Sequence, residues 1–293
     1  MPEYNFTEMT TLEAQSSLAL LRELHHDLSK VDLDRALNNQ YRLLALRKQT
    51  QLVGLAGIHL YPHLSDAKRA WIHDLISVRE QESSKYKTIL LAHIRNQFIG
   101  NECSEIAIHV PIDNESENAF FLKLIGRPFA YVYEWKRVAW TLQAQSTQSV
   151  DNFQCKEIKT PEDRVSGLTL LKHFHPMISE ASLTRATENG YRMYGLWSDR
   201  QLCSIATLIQ YPHLKNRTCA WLQDGMTLPT KDYKQAASRL FGYVMDSCFN
   251  VGNLTVSVHA RIKNKRIHKF YEAAGGRCIA NAYKWKDHSS SIL

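Results

Sequence analysis

The chain has 293 residues, of which 44% are hydrophobic and 22% charged, and its net charge is +7 at pH 7. This length suits two domains of average size, and the composition is typical of a globular protein rather than of a disordered or fibrous one. No apolar run approaches the roughly 20 residues of a membrane-spanning helix, and the start, Met1-Pro-Glu-Tyr-Asn-Phe6, lacks the features of an export signal. We therefore expect a cytoplasmic protein with no membrane partner.

The distribution of charge and the cysteines indicate which binding partners and metal ions to expect. Residues 1–145 hold 16 basic and 17 acidic side chains, whereas the remainder holds 20 and 12, a net charge of +8. Two explanations account equally well for this excess of positive charge. One is a basic surface exposed to solvent, and the other is an anionic partner such as a phosphate-bearing cofactor or a nucleic acid. The six cysteines form no C-x-x-C pair and are interpreted as reduced thiols, and no His, Cys or Asp cluster has the spacing of metal ligands, so no metal is expected.

The sequence repeats itself at an offset of 150 residues. Tyr61-Pro-His-Leu64 recurs as Tyr211-Pro-His-Leu214, and 24 of the 97 positions from 41 to 137 are identical to their counterparts without a gap. So long an ungapped register indicates two copies of one domain. The repeat predicts an N-terminal domain over 1–142, a polar linker over 143–152 and a C-terminal domain over 153–293.

Both copies have the same predicted order of elements. A helix with apolar residues at helical spacing comes first, and a short helix follows it. Two strands joined by a polar turn then lead to strands that alternate with helices, which indicates an α/β protein with a mixed sheet and helices on both faces. In the first copy the predicted elements are helices at 12–24 and 32–39, strands at 41–47, 52–61 and 70–78, a helix at 84–99, a strand at 104–111, a helix at 114–125 and a last strand at 129–138 that closes the copy to which it belongs.

One stretch suggests a family. Asn264-Lys-Arg-Ile-His-Lys-Phe-Tyr-Glu-Ala-Ala-Gly-Gly276 is predicted to be a short helix that ends in a glycine cap. It resembles the N-x-x-(A/I)-H-x-F-Y-x-x-x-G segment of the GNAT acyl-CoA N-acetyltransferase superfamily. Ala70–Val78 is similar to the fourth strand of that family, and 21–28 and 171–178 are similar to the first helix and bend of one GNAT branch. The resemblance covers the chain as two tandem GNAT-like domains.

The resemblance implies a binding site for acetyl-CoA. GNAT domains hold it where the fourth and fifth strands splay apart, with the pyrophosphate on backbone N–H groups of the motif (Q/R)-x-x-G-x-(G/A) at the start of the next helix. Such a helix start attracts anions, and small residues let the backbone approach them. The first copy has Glu82-Ser-Ser-Lys-Tyr-Lys87 there, with lysine at both small positions, and the second has Asp232-Tyr-Lys-Gln-Ala-Ala237.

Neither motif is intact, but the second copy keeps a small residue at the last position. We therefore expect the N-terminal copy to be degenerate and the C-terminal copy to bind acetyl-CoA. The resemblance implies that the cofactor-binding residues are Met226, Thr227, Leu228, Lys234, Gln235, Ala236, Ala237, Ser238 and Asn264.

Acyl transfer to an amine needs an acid for the departing thiolate and a route for the amine proton. The resemblance implies Tyr271 as the acid, where the first copy has Phe121. Asp224, His259 and His213 are candidate bases, and His175 and His213 are candidate contacts of the acceptor. Each is also compatible with an ordinary role as a core aromatic, a turn partner or a packing histidine, since the histidines recur in both copies.

Three functions stay open at this point. The leading hypothesis is an enzyme that transfers an acetyl group from acetyl-CoA to a primary amine of a small molecule or to an exposed amino group of a peptide. The degenerate motifs also suit a non-catalytic acyl-CoA sensor or interaction protein. An aminoacyl-tRNA-dependent transferase would suit the basic second half, although no stripe of aromatic and basic residues indicates an RNA track.

Overall fold

The computed structural model describes residues 4–64, 68–78, 81–143, 153–214, 217–229, 232–252 and 255–286. The first copy contains β1 (Tyr4–Glu8), α1 (Thr11–Ser16), α2 (Leu18–Leu21), α3 (Lys30–Asn38), β2 (Tyr41–Lys48), β3 (Gln51–Tyr61), β4 (Arg69–Ser77), α4 (Ser83–Phe98), β5 (Glu105–Pro111), α5 (Glu115–Leu124), β6 (Ala130–Lys136) and α6 (Arg137–Gln143). The second contains β7 (Phe153–Glu157), α7 (Pro161–Phe174), α8 (Glu180–Glu188), β8 (Tyr191–Ser198), β9 (Gln201–His213), β10 (Arg217–Thr227), α9 (Tyr233–Asn250), β11 (Thr255–Arg261), α10 (Lys265–Ala273) and β12 (Arg277–Lys286).

The predicted α/β class and the order of elements are confirmed. Local chemistry explains the boundaries: Ser29 and Ser179 begin α3 and α8 with capping boxes, and Gly275 (φ +77°) turns the chain after α10. The short edge strands β1 and β7 and the helix α6 lie outside the prediction. The predicted first helix of the first copy is divided into α1 and α2 at Ser17.

All twelve strands form one sheet in the order β1-β2-β3-β4-β5-β12-β6-β11-β10-β9-β8-β7. Since each strand of the second copy follows its counterpart by six, this order is palindromic about the β12–β6 pair, and the two copies are related by a pseudo-two-fold axis. The pairs β4–β5 and β10–β11 are parallel, and the other pairs are antiparallel.

The last strand of each copy pairs within the sheet of the other. β12 lies between β5 and β6, and β6 lies between β12 and β11. The prediction that each last strand closes its own copy is wrong. An alternating pattern predicts a strand, but it does not specify which neighbouring strand that strand will pair with. The ranges 1–142 and 153–293 therefore describe the repeat and not two separate sheets, and 144–152 of the predicted linker lie outside the described residues.

Helices cover both faces of the sheet. In the second copy α7 and α8 pack on one face, around Leu171, Leu183 and Ile205, and α9 and α10 pack on the other, around Leu240 and Val244. The first copy repeats this arrangement with α1–α3 on one face and α4 and α5 on the other. None of the helices in the described residues is both long and apolar enough to cross a membrane.

Two histidines meet at the pseudo-two-fold axis. Nε2 of His109 on β5 lies 2.8 Å from Nε2 of His259 on β11, although two strands separate these elements. The intervening strands carry Ala130, Ala280 and Ala282, which are buried in the same cluster and leave room above the twisted sheet. Burial lowers the pKa of His109 to about 4, and burial and the adjacent His109 lower the pKa of His259 well below its usual value.

This pair makes the fold sensitive to acid. Because both pKa values fall on folding, the unfolded chain binds more protons below pH 6.5, so stability is full above that pH and declines as the pH falls towards 4. Each histidine contributes a slope of up to about 1.4 kcal/mol per pH unit. Urea unfolding at pH 7.5, 6.0 and 5.0 should show a shallower decline for His109→Gln than for the wild type. The exposed His26→Gln variant serves as the control and should decline as the wild type does.

Candidate active site

A slot opens beside α9 where β10 and β11 separate. The two strands pair in parallel only from Cys219 to Leu222 on β10, and β10 then bulges between Leu222 and Gly225 and continues to Thr227 along β9 alone. The first copy separates in the same way, since β4 and β5 pair only from Arg69 to Ile72. Both copies therefore have the splayed strands that the sequence analysis expected.

The slot of the second copy contains a cavity of about 90 Å³. Its lining comes from β9, from the end of β10 and from the facing sides of α9 and α10. The cavity is mostly apolar, with Tyr271 contributing a phenol. The lining residues that matter below are Gly225, Met226, Thr227, Ala237, Ile267 and Tyr271.

Backbone groups at the end of β10 face this cavity. The N–H of Leu228 donates to the carbonyl of Cys203 on β9 at 2.9 Å. Because hydrogen-bonding directions alternate along a strand, Met226 and Leu228 turn their backbone groups towards β9, and Gly225 and Thr227 turn theirs towards the slot. A Cβ atom added at Gly225 would have no neighbour within 4 Å. The notable backbone donors towards the slot are therefore the N–H groups of Gly225 and Thr227, and not those of the predicted cofactor residues Met226 and Leu228.

The matching slot of the first copy is filled by its own side chains. Leu75 takes the place of Gly225 and packs in the core with Tyr86 and Phe121. Lys87, at the position of Ala237, donates to Glu117 at 2.8 Å and thereby joins α4 to α5 across the slot. Three residue differences thus distinguish a filled slot from an open one.

The start of α4 is also occupied by a carboxylate. Glu82 accepts hydrogen bonds from Lys48 at 3.2 Å and from Tyr86 at 2.7 Å and pairs with Lys85. Hydrogen bonds from Lys85, Tyr86 and Lys48 lower the pKa of Glu82 to about 2. A negative charge therefore lies where a GNAT domain would hold pyrophosphate.

The start of α9 is less obstructed. Its N-cap residue, Asp232, makes no capping hydrogen bond, and the predicted residues Lys234, Gln235 and Ser238 are exposed. Ala236 is buried in the core and faces the sheet, whereas Ala237 lines the slot. The predicted cofactor residues thus divide between the core, the slot and the solvent.

Asn264 begins α10 as its N-cap. Its side-chain oxygen accepts from the N–H of Ile267 at 3.2 Å, as Asn114 does for Glu117 in the first copy. This role explains why the asparagine occurs in both copies.

Tyr271 lies on α10 with its ring in an aromatic cluster. Trp135, Tyr133 and Phe241 lie 5.4, 5.6 and 5.9 Å from it between ring centroids. Burial raises the pKa of Tyr271 above its usual value, so the phenol is protonated at neutral pH. Among the described residues its hydroxyl has no hydrogen-bond partner, and the residue lines the cavity.

Asp224 lies at the bulge of β10 within a hydrogen-bonded cluster. It accepts from the hydroxyl of Tyr191 at 2.8 Å, and Nε2 of His175 lies 3.8 Å from its other oxygen. The first copy repeats this arrangement, since Asp74 contacts His25 and Tyr41. His25 is buried, whereas the side chain of His175 is 45% exposed. The structure therefore brings Asp224 and His175 together with a residue that sequence reasoning missed, Tyr191.

The other predicted histidines lie elsewhere. The ring of His259 packs on Trp221 at 4.5 Å and on Phe129 at 5.0 Å, within the cluster on the α7 side of the sheet. Tyr271 belongs to the cluster on the opposite side. His213 ends β9, and its side chain lies outside the described residues.

No three His, Cys, Asp or Glu side chains within the described ranges are grouped so that they could hold a metal ion.

Comparison with known proteins identifies the family. The model of the acetyltransferase (GNAT) family matches residues 7–126, which lie in the first copy. The first copy belongs to this family, and the whole chain has the fold of a tandem GNAT protein. The prediction of an acetyltransferase is thereby confirmed at the level of the family. Comparison with curated proteins finds no sequence match.

Solved structures share the tandem fold at low sequence identity. A tandem GNAT protein from the clavulanic acid biosynthesis pathway is 13% identical, with a TM-score of 0.60 over 97% of this chain and 98% of that one. A glucosamine N-acetyltransferase region of a fungal β-N-acetylglucosaminidase is 12% identical, with a TM-score of 0.60 over 97% of this chain and 38% of that one. N-myristoyltransferase from Saccharomyces cerevisiae with bound myristoyl-CoA is 11% identical, with a TM-score of 0.52 over 98% and 79%.

The family model matches the copy whose slot is filled. The features that the first copy shares with the second are structural, such as the bulge in its fourth strand and the helix N-cap at Asn114. Sequence reasoning missed Gly225 and Ile267 as slot residues. Comparing the copies position by position would have found them, because Leu75 and Glu117 stand in their places.

Reproducing these differences in the second copy should close its slot. Gly225→Leu adds the side chain that fills the first slot, and the free space at this position means that the fold should tolerate it. We expect the affinity for acetyl-CoA, measured by calorimetry, to fall at least about tenfold, or about 1.4 kcal/mol. Ala237→Lys should act in the same direction.

The first copy provides the control. Lys87→Ala removes the bridge to Glu117 there and should leave acetyl-CoA binding unchanged. A loss of binding in Lys87→Ala, with none in Gly225→Leu, would move the binding site to the first copy.

Proposed function

We propose that the chain is an acetyl-CoA-dependent N-acetyltransferase with one working slot, that of the C-terminal copy. The observation that carries this proposal is the contrast between the copies. Gly225, Ala237 and Ile267 leave the second slot open, whereas Leu75 and the Lys87–Glu117 pair fill the first. The N-terminal copy then acts as scaffold.

The size of the cavity favours a short acyl group. A volume of about 90 Å³ is small beside the roughly 300–1,000 Å³ of pockets that hold drug-sized ligands. That space suits an acetyl group and the adjoining thioester but not a long fatty chain.

In the proposed reaction a neutral primary amine attacks the thioester carbon. A C–N bond forms, the C–S bond breaks, the amine loses one proton and the departing sulfur gains one. Tyr271 gives its phenolic proton to the sulfur, and the pKa that burial raises keeps this proton available at neutral pH. A backbone N–H of Gly225 or Thr227 stabilises the oxyanion that develops in between.

The amine proton leaves on the other face of β10. Asp224 and His175 are adjacent there, and His175 is open to solvent, so we assign the pair to receive this proton through water. Tyr191 holds the carboxylate through its hydrogen bond. His259 is enclosed by Trp221 and Phe129 and paired with His109, so it is not given a part in the reaction.

The exposed side of α10 supports an anionic donor. Lys265, Arg266 and Lys269 are exposed on the helix that carries Tyr271, and Lys263 is exposed just before its N-cap. The matching positions of the first copy are Asp113, Glu115, Ser116 and Ala119. A cationic surface beside the open slot suits the phosphates of coenzyme A and compensates for the incomplete motif at α9.

Replacing the acid tests the mechanism. Tyr271→Phe removes one hydroxyl and keeps the ring that packs on Trp135, and it reproduces the residue of the first copy. We expect kcat to fall about 10²-fold, as for the loss of an acid catalyst, while acetyl-CoA affinity stays within twofold because the phenol acts only in the transition state. An unchanged kcat would remove Tyr271 from the mechanism.

Replacing His175 tests the proton route. His175→Gln changes an exposed side chain, so stability should be unaffected, and kcat/KM for the amine should fall several-fold. The matched control is His173→Gln, an exposed histidine two residues earlier. Equal effects of the two variants would contradict a specific role of His175.

Binding and turnover separate this function from its rivals. Calorimetry with acetyl-CoA and with free coenzyme A, followed by thiol release over a panel of amines, should show binding and turnover. Binding without thiol release would favour an acyl-CoA sensor. Turnover that requires aminoacyl-tRNA would favour the tRNA-dependent alternative, and no binding would exclude the acetyltransferase and the sensor.

A further inference from the structure

The N-terminal copy contributes a strand to the C-terminal site. β6 pairs with β11 along its whole length, from Ala130 opposite Arg261 to Lys136 opposite Thr255. Its side chains Tyr133 and Trp135 are buried in the cluster that contains Tyr271. The copy with the filled slot therefore reaches the helix that carries the proposed acid.

Two hydrogen bonds attach the end of α10 to this strand, and the Tyr133 hydroxyl also lies 3.3 Å from Nδ1 of His268 in the first half of the helix. The indole N–H of Trp135 donates to the carbonyl of Ala274 at 2.8 Å, just after the helix ends. The hydroxyl of Tyr133 donates to Glu272 at 3.0 Å, the residue after Tyr271. Both bonds lie within three residues of the phenol, so they fix the last turn of the helix.

The indole ring also packs against Tyr271 itself. The two rings meet edge to face, with their centroids 5.4 Å apart. A Cβ atom added at Gly276 would lie only 2.4 Å from the Trp135 ring, so glycine is needed there for the ring to lie so close.

The symmetry-related position lacks this arrangement. Trp285 on β12 is only partly buried against the core of the first copy, and a Cβ atom added at Gly126 would meet nothing within 4 Å. Within the described residues, the Trp285 indole makes no hydrogen bond to α5 and no ring contact with Phe121. Tyr283 binds Asn118 at 3.0 Å, which corresponds to the contact of Tyr133 with His268, whereas the position of Glu272 is Leu122 in the first copy, so the bond to Glu272 has no counterpart. The close Trp135 contact therefore belongs to the open slot and not to the fold as such.

We infer that Trp135 and Tyr133 are positioning residues for Tyr271, supplied by the N-terminal copy, so that turnover in the C-terminal slot depends on a strand of the degenerate copy. This inference rests on the proposed function, because it assumes that the Tyr271 phenol acts in the transition state. Displacement of a reacting group by a fraction of an ångström is enough to slow a reaction severalfold to a hundredfold.

The test compares symmetry-related variants of the full chain. Trp135→Phe keeps an aromatic ring but removes the bond to Ala274, and Trp285→Phe makes the same change on the other side of the pseudo-two-fold axis. We expect kcat to fall about tenfold in Trp135→Phe, with the Kd for acetyl-CoA unchanged by calorimetry, and to stay within twofold of the wild type in Trp285→Phe.

A milder pair of variants guards against unfolding. Tyr133→Phe removes only the hydroxyl that binds Glu272 and contacts His268, and Tyr283→Phe removes the hydroxyl at the matching position of the other copy, which binds Asn118. A fall in kcat in Tyr133→Phe alone, at equal melting temperatures, supports the positioning role. Combining Trp135→Phe with Tyr271→Phe should add little to the effect of Tyr271→Phe, because the phenol that is positioned is already absent.

Other outcomes overturn the inference. Equal losses in the symmetry-related variants, or a loss of acetyl-CoA affinity in place of kcat, would indicate a role in folding or binding only. An unchanged kcat in both Trp135→Phe and Tyr133→Phe would also reject it, even if the enzyme is active and Tyr271 is essential. A wild-type protein that binds no acetyl-CoA would instead reject the proposed function, which the calorimetry detects independently.

Discussion

The hydrogen-bonded joint at the centre of the sheet is the constraint on which the rest of the molecule depends. β5, β12, β6 and β11 alternate between the copies, so each copy is completed by the last strand of the other. The joint aligns the two splayed strand pairs about one pseudo-two-fold axis. It also explains how one copy could lose its slot while its β6 remained essential to the cluster around Tyr271.

The two copies differ most where a ligand would lie and least where they support the sheet. The bulged strands, the asparagine caps and the Asp–Tyr contacts recur at the offset of 150 residues. The residues that line the slots do not recur, because the first copy has Leu75, Lys87 and Glu117 where the second copy has small or apolar residues. Such a pattern is expected when selection keeps the packing of both copies but the ligand contacts of only one.

Much of this fold could be predicted from the sequence, because strand alternation, helical spacing and the repeat are local or periodic signals. The exchange of β6 and β12 between the copies could not be predicted, because the pattern of either strand fits the sheet of either copy equally well. For the site, the small residue at 237 indicated the C-terminal copy, where Ala237 lines the cavity, and the binding of acetyl-CoA there stays a prediction. The buried pairing of His109 and His259 depends on alanines of other strands. The sequence around His259 therefore could not show that this residue pairs at the pseudo-two-fold axis and is not a catalytic base.

The interleaving of the last strands bears on how the chain can be divided. A fragment that began at Phe153 would retain β12 but would leave Thr255–Arg261 without the backbone partners that β6 provides. Bare strand edges of this kind recruit other chains. β12 is the equivalent in the second copy of β6 in the first. In two such fragments, the β12 of each could therefore pair with the β11 of the other, as β6 does here, and form a homodimer in which both subunits would have an open slot. The duplicated chain thus reads as a symmetric dimer joined into one polypeptide, of which one half has become the support of the other.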